Sequence, residues 1–123
     1  MYTDLEDKLT KKYYQEIVEK ALIQAKEEYD FSPNTPMNAS FYNQLVDIKK
    51  CVIDNNEVYT KEEAYKKYPI AIMVTKNFIG EEANTDYANM LKDIVWGISL
   101  YPKMIEGDDP KPDKPRGGWS VFD

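Results

Sequence analysis

Residues 3–31, TDLEDKLTKKYYQEIVEKALIQAKEEYDF, carry the pattern that decides the fold. Apolar side chains recur every four residues along this segment, which places them on one face of a helix. They are Leu5, Leu9, Tyr13, Ile17, Ala21, Ala25 and Tyr29, and Val18 and Leu22 widen the face. Thr3 and Glu6 have the spacing of a capping box, in which each side chain accepts from a backbone amide of the first turn. The sequence therefore predicts one helix over about residues 4–29.

Three later segments are also typical of helices. Phe41, Leu45, Ile48 and Val52 follow helical spacing after Ser40, which suits an N-cap, and Asn55 and Asn56 suit a left-handed terminator. A second capping box, Thr60 with Glu63, predicts a short helix over 61–67. Asn84 or Thr85 caps a final apolar face from Tyr87 to Ile98, which Pro102 ends.

Residues 69–79, PIAIMVTKNFI, are ambiguous. Ile70, Ile72 and Val74 alternate as in a buried strand, which would need the short segment 55–60 as its partner. Pro69 and Gly80, however, suit the two ends of a helix. We favour the helix.

These patterns predict an all-α fold, a small bundle of four to five helices over residues 1–106. Residues 107–123 form a predicted extended Pro/Gly-rich C-terminal arm, GDDPKPDKPRGGWSVFD, with an apolar tip. The alternative is an α+β fold with one small hairpin around 55–60 and 70–75.

Composition excludes most catalytic classes. The 123 residues include no His, so no His-based triad or His-ligated metal is available. No glycine-rich phosphate loop is present. The single Cys51 excludes an internal disulfide and fits a small buried hydrophobe. We therefore expect no enzyme, no catalytic residue, no cofactor and no metal.

The charge pattern limits the partners. Acids outnumber bases 22 to 16, and the net charge of -6 disfavours binding to nucleic acid phosphates. Such a protein suits a protein partner with a basic surface. No apolar run approaches the ~20 residues of a membrane span. The acidic N-terminus is unlike a signal peptide, so we expect a cytoplasmic protein with no membrane contact.

Aromatic residues outside the core stripes are the best candidates for binding a partner, because Tyr and Trp are enriched at interface hot spots. The partner-binding candidates are Tyr2, Tyr14, Tyr42, Trp119, Val121 and Phe122. Gly97, inside the last predicted helix beside Trp96, indicates close approach by another element.

One short segment, LYPKMIEGDDPKP at residues 100–112, resembles a stretch of the colicin DNase immunity proteins, which are small acidic helical inhibitors. The similarity lies in Tyr101-Pro102-Lys103 and Gly107-Asp108-Asp109. This chain has Leu100 in place of the family's second tyrosine and extra residues between the two halves, so no site residue is transferred.

The leading hypothesis is a non-catalytic inhibitor that occludes its target, such as a toxin immunity protein or a phage-encoded inhibitor of a host defence enzyme. Small size, acidity, helicity and abundant tyrosine motivate it. The alternative is a structural or assembly subunit, of a virion or an adaptor, that docks its C-terminal tail on a neighbour. The oligomeric state stays open.

Overall fold

The computed structural model describes residues 2–78, 80–81 and 85–106. They form five α-helices, so the all-α prediction is confirmed. The helices are α1 Lys11–Phe31, α2 Pro36–Ile48, α3 Lys61–Lys67, α4 Ile70–Asn77 and α5 Asp86–Ile98. α5 packs against α1, α3 and α4, while α2 packs against α1.

The alternative hairpin is wrong, because residues 70–77 are helical and 55–60 pair with no strand. Within the described residues, β pairing is limited to one isolated bridge between Thr10 and Ile105. The predicted arm, residues 107–123, lies outside the described residues.

The first helix begins later than predicted. Leu5–Asp7 is a separate 3₁₀ turn, and α1 begins at Lys11 after Thr10, whose side chain accepts from the Tyr13 amide at 3.0 Å. Thr10 is extended and fully buried, and the Lys11 amide donates to the Ile105 carbonyl at 2.9 Å. This pairing with a distant segment holds Thr10 in the N-cap position, so the capping box predicted at Thr3 does not form.

The second helix begins earlier than predicted. Pro36 opens α2 and Ser40 lies inside it, because proline lacks only an amide that the first turn of a helix leaves unpaired. Beyond Ile48 the chain continues as a π-helical turn over Lys49–Asp54. Asn56 then takes a left-handed conformation, φ 55°, as predicted for one of the two asparagines.

The remaining helix ends follow local signals. Both hydrogen bonds of the Thr60–Glu63 capping box are present, and the Thr85 side chain accepts from the Ala88 amide at 3.1 Å. The favoured helix at 69–79 is confirmed as α4, whose first amide, that of Ile70, donates to the Gln44 side chain at 2.9 Å.

The buried stripe of α1 is shifted from the predicted one. Its members are Tyr14, Ile17, Val18, Ala21 and Ala25, whereas Tyr13 and Tyr29 are only half-buried. The prediction that Tyr14 lies at the surface as a partner-binding residue is therefore wrong. Its side chain is 0% exposed, and its hydroxyl donates to the Ile94 carbonyl of α5 at 2.8 Å. Cys51 is buried, as expected.

Gly97 allows two elements to pack closely on α5. They are α1 and the N-terminal turn, which is Asp4 with the 3₁₀ residues Leu5–Asp7. A Cβ atom at this position would lie 2.6 Å from Leu5 Cδ2 and 2.8 Å from Tyr14 Cε1. Those separations are shorter than carbon–carbon contact, which is about 3.5–4.0 Å. The close approach predicted from Gly97 is confirmed, and the elements that approach are the N-terminal turn and α1.

The Gly97→Ala substitution is expected to destabilise the protein. In an exposed helix, alanine stabilises the folded state by about 1 kcal/mol relative to glycine. Overpacking a well-packed core, however, destabilises it by about 1–3 kcal/mol. The buried Tyr14 ring is held at its far end by the Ile94 carbonyl, so it cannot move aside cheaply. Urea denaturation should give a net loss in the free energy of unfolding of up to about 2 kcal/mol.

A double-mutant cycle with Leu5→Ala provides the control, because removing Cδ2 relieves the closest of these contacts. Gly97→Ala should cost less in that background. A stability gain for Gly97→Ala in the otherwise unchanged protein would contradict the packing described above.

Candidate functional site

A surface cleft lies where the N-terminal turn meets α3 and α5. Its volume is about 430 Å³. The lining residues are Asp4, Glu6, Tyr65, Asn89, Lys92, Asp93 and Trp96. The cleft thus combines three carboxylates with two large aromatic rings, brought together from three separate segments of the chain.

Asp93 of α5 anchors the N-terminal turn beside this cleft. Its Oδ2 atom accepts from the Tyr2 hydroxyl at 2.6 Å and from the Leu5 amide at 3.1 Å. Partial burial of the phenol, together with the adjacent Asp93 carboxylate, raises the pKa of Tyr2 well above its ordinary value. Asp93 therefore fixes the position of the residues that follow Tyr2, including Asp4 and Glu6.

The acidic side of the cleft suits a cationic group. Asp4 and Glu6 are exposed, while Trp96 is half-buried next to them. A guanidinium or ammonium group is attracted by carboxylates and by the face of an aromatic ring. The arrangement can therefore receive a Lys or Arg side chain from another protein.

An apolar groove adjoins the cleft between α4 and α5. Its volume is about 290 Å³, and its lining residues are Tyr65, Ala71, Ile72, Thr75, Lys76 and Lys92. Tyr65 and Lys92 line both hollows, and Ile72 is 45% exposed. We call the cleft and this groove together the Trp96 surface. Aromatic and aliphatic side chains beside a charged rim are the composition of protein interfaces.

A second groove, here the α1–α2 groove, has a volume of about 530 Å³. Its lining residues are Glu19, Leu22, Ile23, Lys26, Tyr42, Val46, Lys49, Lys50 and Asp54. Ile23 and Val46 are 57% and 42% exposed, which gives this groove an apolar floor open to solvent.

The structure separates the sequence-predicted binding residues. Tyr2 is half-buried at the edge of the Trp96 surface through its bond to Asp93. Tyr42 is half-buried in the α1–α2 groove, where its ring stacks on Tyr29 with centroids 5.9 Å apart. Tyr14 is a core residue. The other three candidates, Trp119, Val121 and Phe122, lie outside the described residues.

Sequence reasoning missed the acidic part of the Trp96 surface. Asp93 and Leu5, joined by a hydrogen bond, stand 88 positions apart, so no local spacing signals their contact. The sequence indicated Trp96 only weakly as part of a binding surface, because this residue falls on the polar side of the apolar stripe of α5.

No metal or membrane site emerges among the described residues. They contain no group of three or more His, Cys, Asp or Glu side chains arranged to hold a metal ion. None of the helices in the described ranges combines the length and apolar character required to cross a bilayer.

The fold and the Trp96 surface define a small helical protein with the features of a protein-binding domain. The chain belongs to the Tsi6 family, whose model matches residues 13–99, from the start of α1 through α5. This is a family of type VI secretion immunity proteins, which bind a protein toxin. Comparisons with curated proteins and with solved structures gave no significant match.

The bond between Tyr2 and Asp93 predicts a pH dependence of stability. Because the pKa of folded Tyr2 is raised, the unfolded chain loses this proton first, near the ordinary tyrosine value of about 10. The contribution of the Tyr2–Asp93 hydrogen bond to the free energy of unfolding is complete below that pH and declines as the pH rises above it.

The free energy of unfolding of the unmodified chain should therefore fall more steeply above pH 10 than that of Tyr2→Phe. The difference in slope reaches at most about 1.4 kcal/mol per pH unit, the value for one proton. Denaturation series in urea from pH 9 to 11 measure both slopes, and the comparison cancels the titration of lysines. Equal slopes would show that Asp93 does not hold the phenol.

Proposed function

We propose that this protein is an immunity protein that neutralises a single toxin by covering a working surface of that toxin with its own Trp96 surface. The observation that carries the proposal is the family match over residues 13–99. It favours an inhibitor over the assembly subunit considered above. On this proposal the protein acts in the cytoplasm, performs no chemistry, and needs neither cofactor nor metal.

The composition of the Trp96 surface supports its choice as the interface. Trp and Tyr dominate binding hot spots because they bury a large rigid area and retain a polar atom, and Trp96 and Tyr65 provide both. Asp4 and Glu6 would steer a basic toxin surface toward this face, since complementary charge mainly accelerates association. A toxin that handles an anionic substrate would present such a basic surface.

The surface is also positioned before any partner arrives. The N-terminal turn is held on α5 by the two hydrogen bonds to Asp93 and by Leu5, which is fully buried. A preorganised surface loses less conformational entropy on association, so more of the contact energy appears as affinity. Tight, long-lived binding is what an inhibitor without chemistry requires.

Two substitutions on the Trp96 surface test the proposal. Glu6→Lys reverses an exposed charge and should slow association with the cognate toxin, weakening binding roughly tenfold. Trp96→Ala removes the aromatic anchor and should weaken binding roughly 10- to 100-fold through faster dissociation. Surface plasmon resonance separates the two rates, and melting curves verify that each variant is folded.

The matched control is Glu27→Lys, the same charge reversal at an exposed position of α1 that lines neither the Trp96 surface nor the α1–α2 groove. It should bind within about twofold of the unmodified protein, apart from the general effect of net charge. Equal weakening by Glu6→Lys and Glu27→Lys, with no effect of Trp96→Ala, would exclude the Trp96 surface as the interface.

A further inference from the structure

The α1–α2 groove has the features of an occupied site. Its floor exposes aliphatic side chains, since Ile23 is 57% exposed and Val46 is 42% exposed. The half-buried Leu22 and Tyr42 lie beside them. Grouped aliphatic side chains in a hollow of about 530 Å³ differ from single exposed apolar residues, which are common and need no explanation.

Three lysines and two carboxylates line the rim of the groove, which leaves one positive charge in excess. Lys26, Lys49 and Lys50 line it together with Glu19 and Asp54. Lys49 pairs with Glu19 at 3.0 Å. Lys26 turns toward Asp30, one helical turn further on, at 2.9 Å. The groove therefore suits a segment that carries apolar side chains and a carboxylate.

The described chain ends close to the beginning of α1. Ile105 forms the isolated bridge with Thr10, and the Lys11 amide donates to the Ile105 carbonyl at 2.9 Å. Glu106, the last described residue, pairs with Lys11 Nζ at 3.3 Å. Residues beyond Glu106 therefore start from the end of α1 that precedes the groove.

The length of chain beyond Glu106 is sufficient to reach the groove. From Lys11 to Lys26, α1 rises about 22 Å at 1.5 Å per residue. Twelve residues, 107–118, separate Glu106 from Trp119. A chain of that length can span about 40 Å when extended. Residues 107–118 are therefore long enough to run along α1 to the groove and to follow the curved surface.

We propose that residues 119–123, WSVFD, dock in the α1–α2 groove of the same molecule. Trp119, Val121 and Phe122 supply apolar side chains for its floor, and Asp123 supplies a carboxylate for its lysine rim. The Trp96 surface fits the segment less well, because its apolar groove is smaller, about 290 Å³. Lys76 and Lys92 line that groove, but the adjoining cleft carries the carboxylates of Asp4, Glu6 and Asp93. This inference is independent of the toxin.

Fluorine NMR of the full chain labelled with 5-fluorotryptophan tests this docking, with Trp119→Phe assigning the two resonances. The Trp119 resonance should differ from that of a free WSVFD peptide. Val46→Asp should move it to the free position. The matched control, Ile72→Asp, places the same charge at a residue of similar exposure in the other groove and should leave it unchanged.

Three results would overturn the proposal. The first is a Trp119 resonance already at the free-peptide position in the unmodified chain. The second is a displaced resonance that responds to Ile72→Asp and not to Val46→Asp. The third is a displacement that disappears on dilution, which would place the segment on a second copy of the chain. A displacement independent of concentration and abolished by Val46→Asp alone supports docking within one molecule.

Discussion

The contact between Gly97 and the two side chains packed on it, Leu5 and Tyr14, is the constraint on which the rest of the structure depends. With hydrogen in place of a Cβ atom, α5 comes close enough for the Tyr14 hydroxyl to reach the Ile94 carbonyl. The same approach buries Leu5 and lets its amide bond to Asp93. The position of the N-terminal turn, and with it the acidic part of the Trp96 surface, follows from this one close packing.

Asp93 joins the core to the proposed function. One of its oxygens accepts two hydrogen bonds that hold the N-terminal turn, while the residue itself lines the cleft beside Trp96. Because Asp4 and Glu6 are carried by that turn, core packing positions the charges that face the toxin in the proposed function. An immunity protein gains from this arrangement, since a surface already ordered before binding loses little entropy when the toxin arrives.

Local signals were sufficient to predict much of the fold, and contacts between distant segments account for the errors. The Thr60 capping box and the Thr85 cap lie within a few residues of the amides they bind, so the sequence displays them. Thr10 became the cap of α1 because Ile105 pairs beside it, which no local pattern indicates. Likewise, Tyr14 is buried because Gly97 makes room for it.

Amide hydrogen exchange of the protein, alone and bound to its cognate toxin, tests the central claim most directly. Binding through the Trp96 surface predicts slower exchange at residues 4–7 and 89–96, where the N-terminal turn and α5 form the cleft. Protection confined to residues 19–26 and 42–50, with no change at the turn or at α5, would contradict the account.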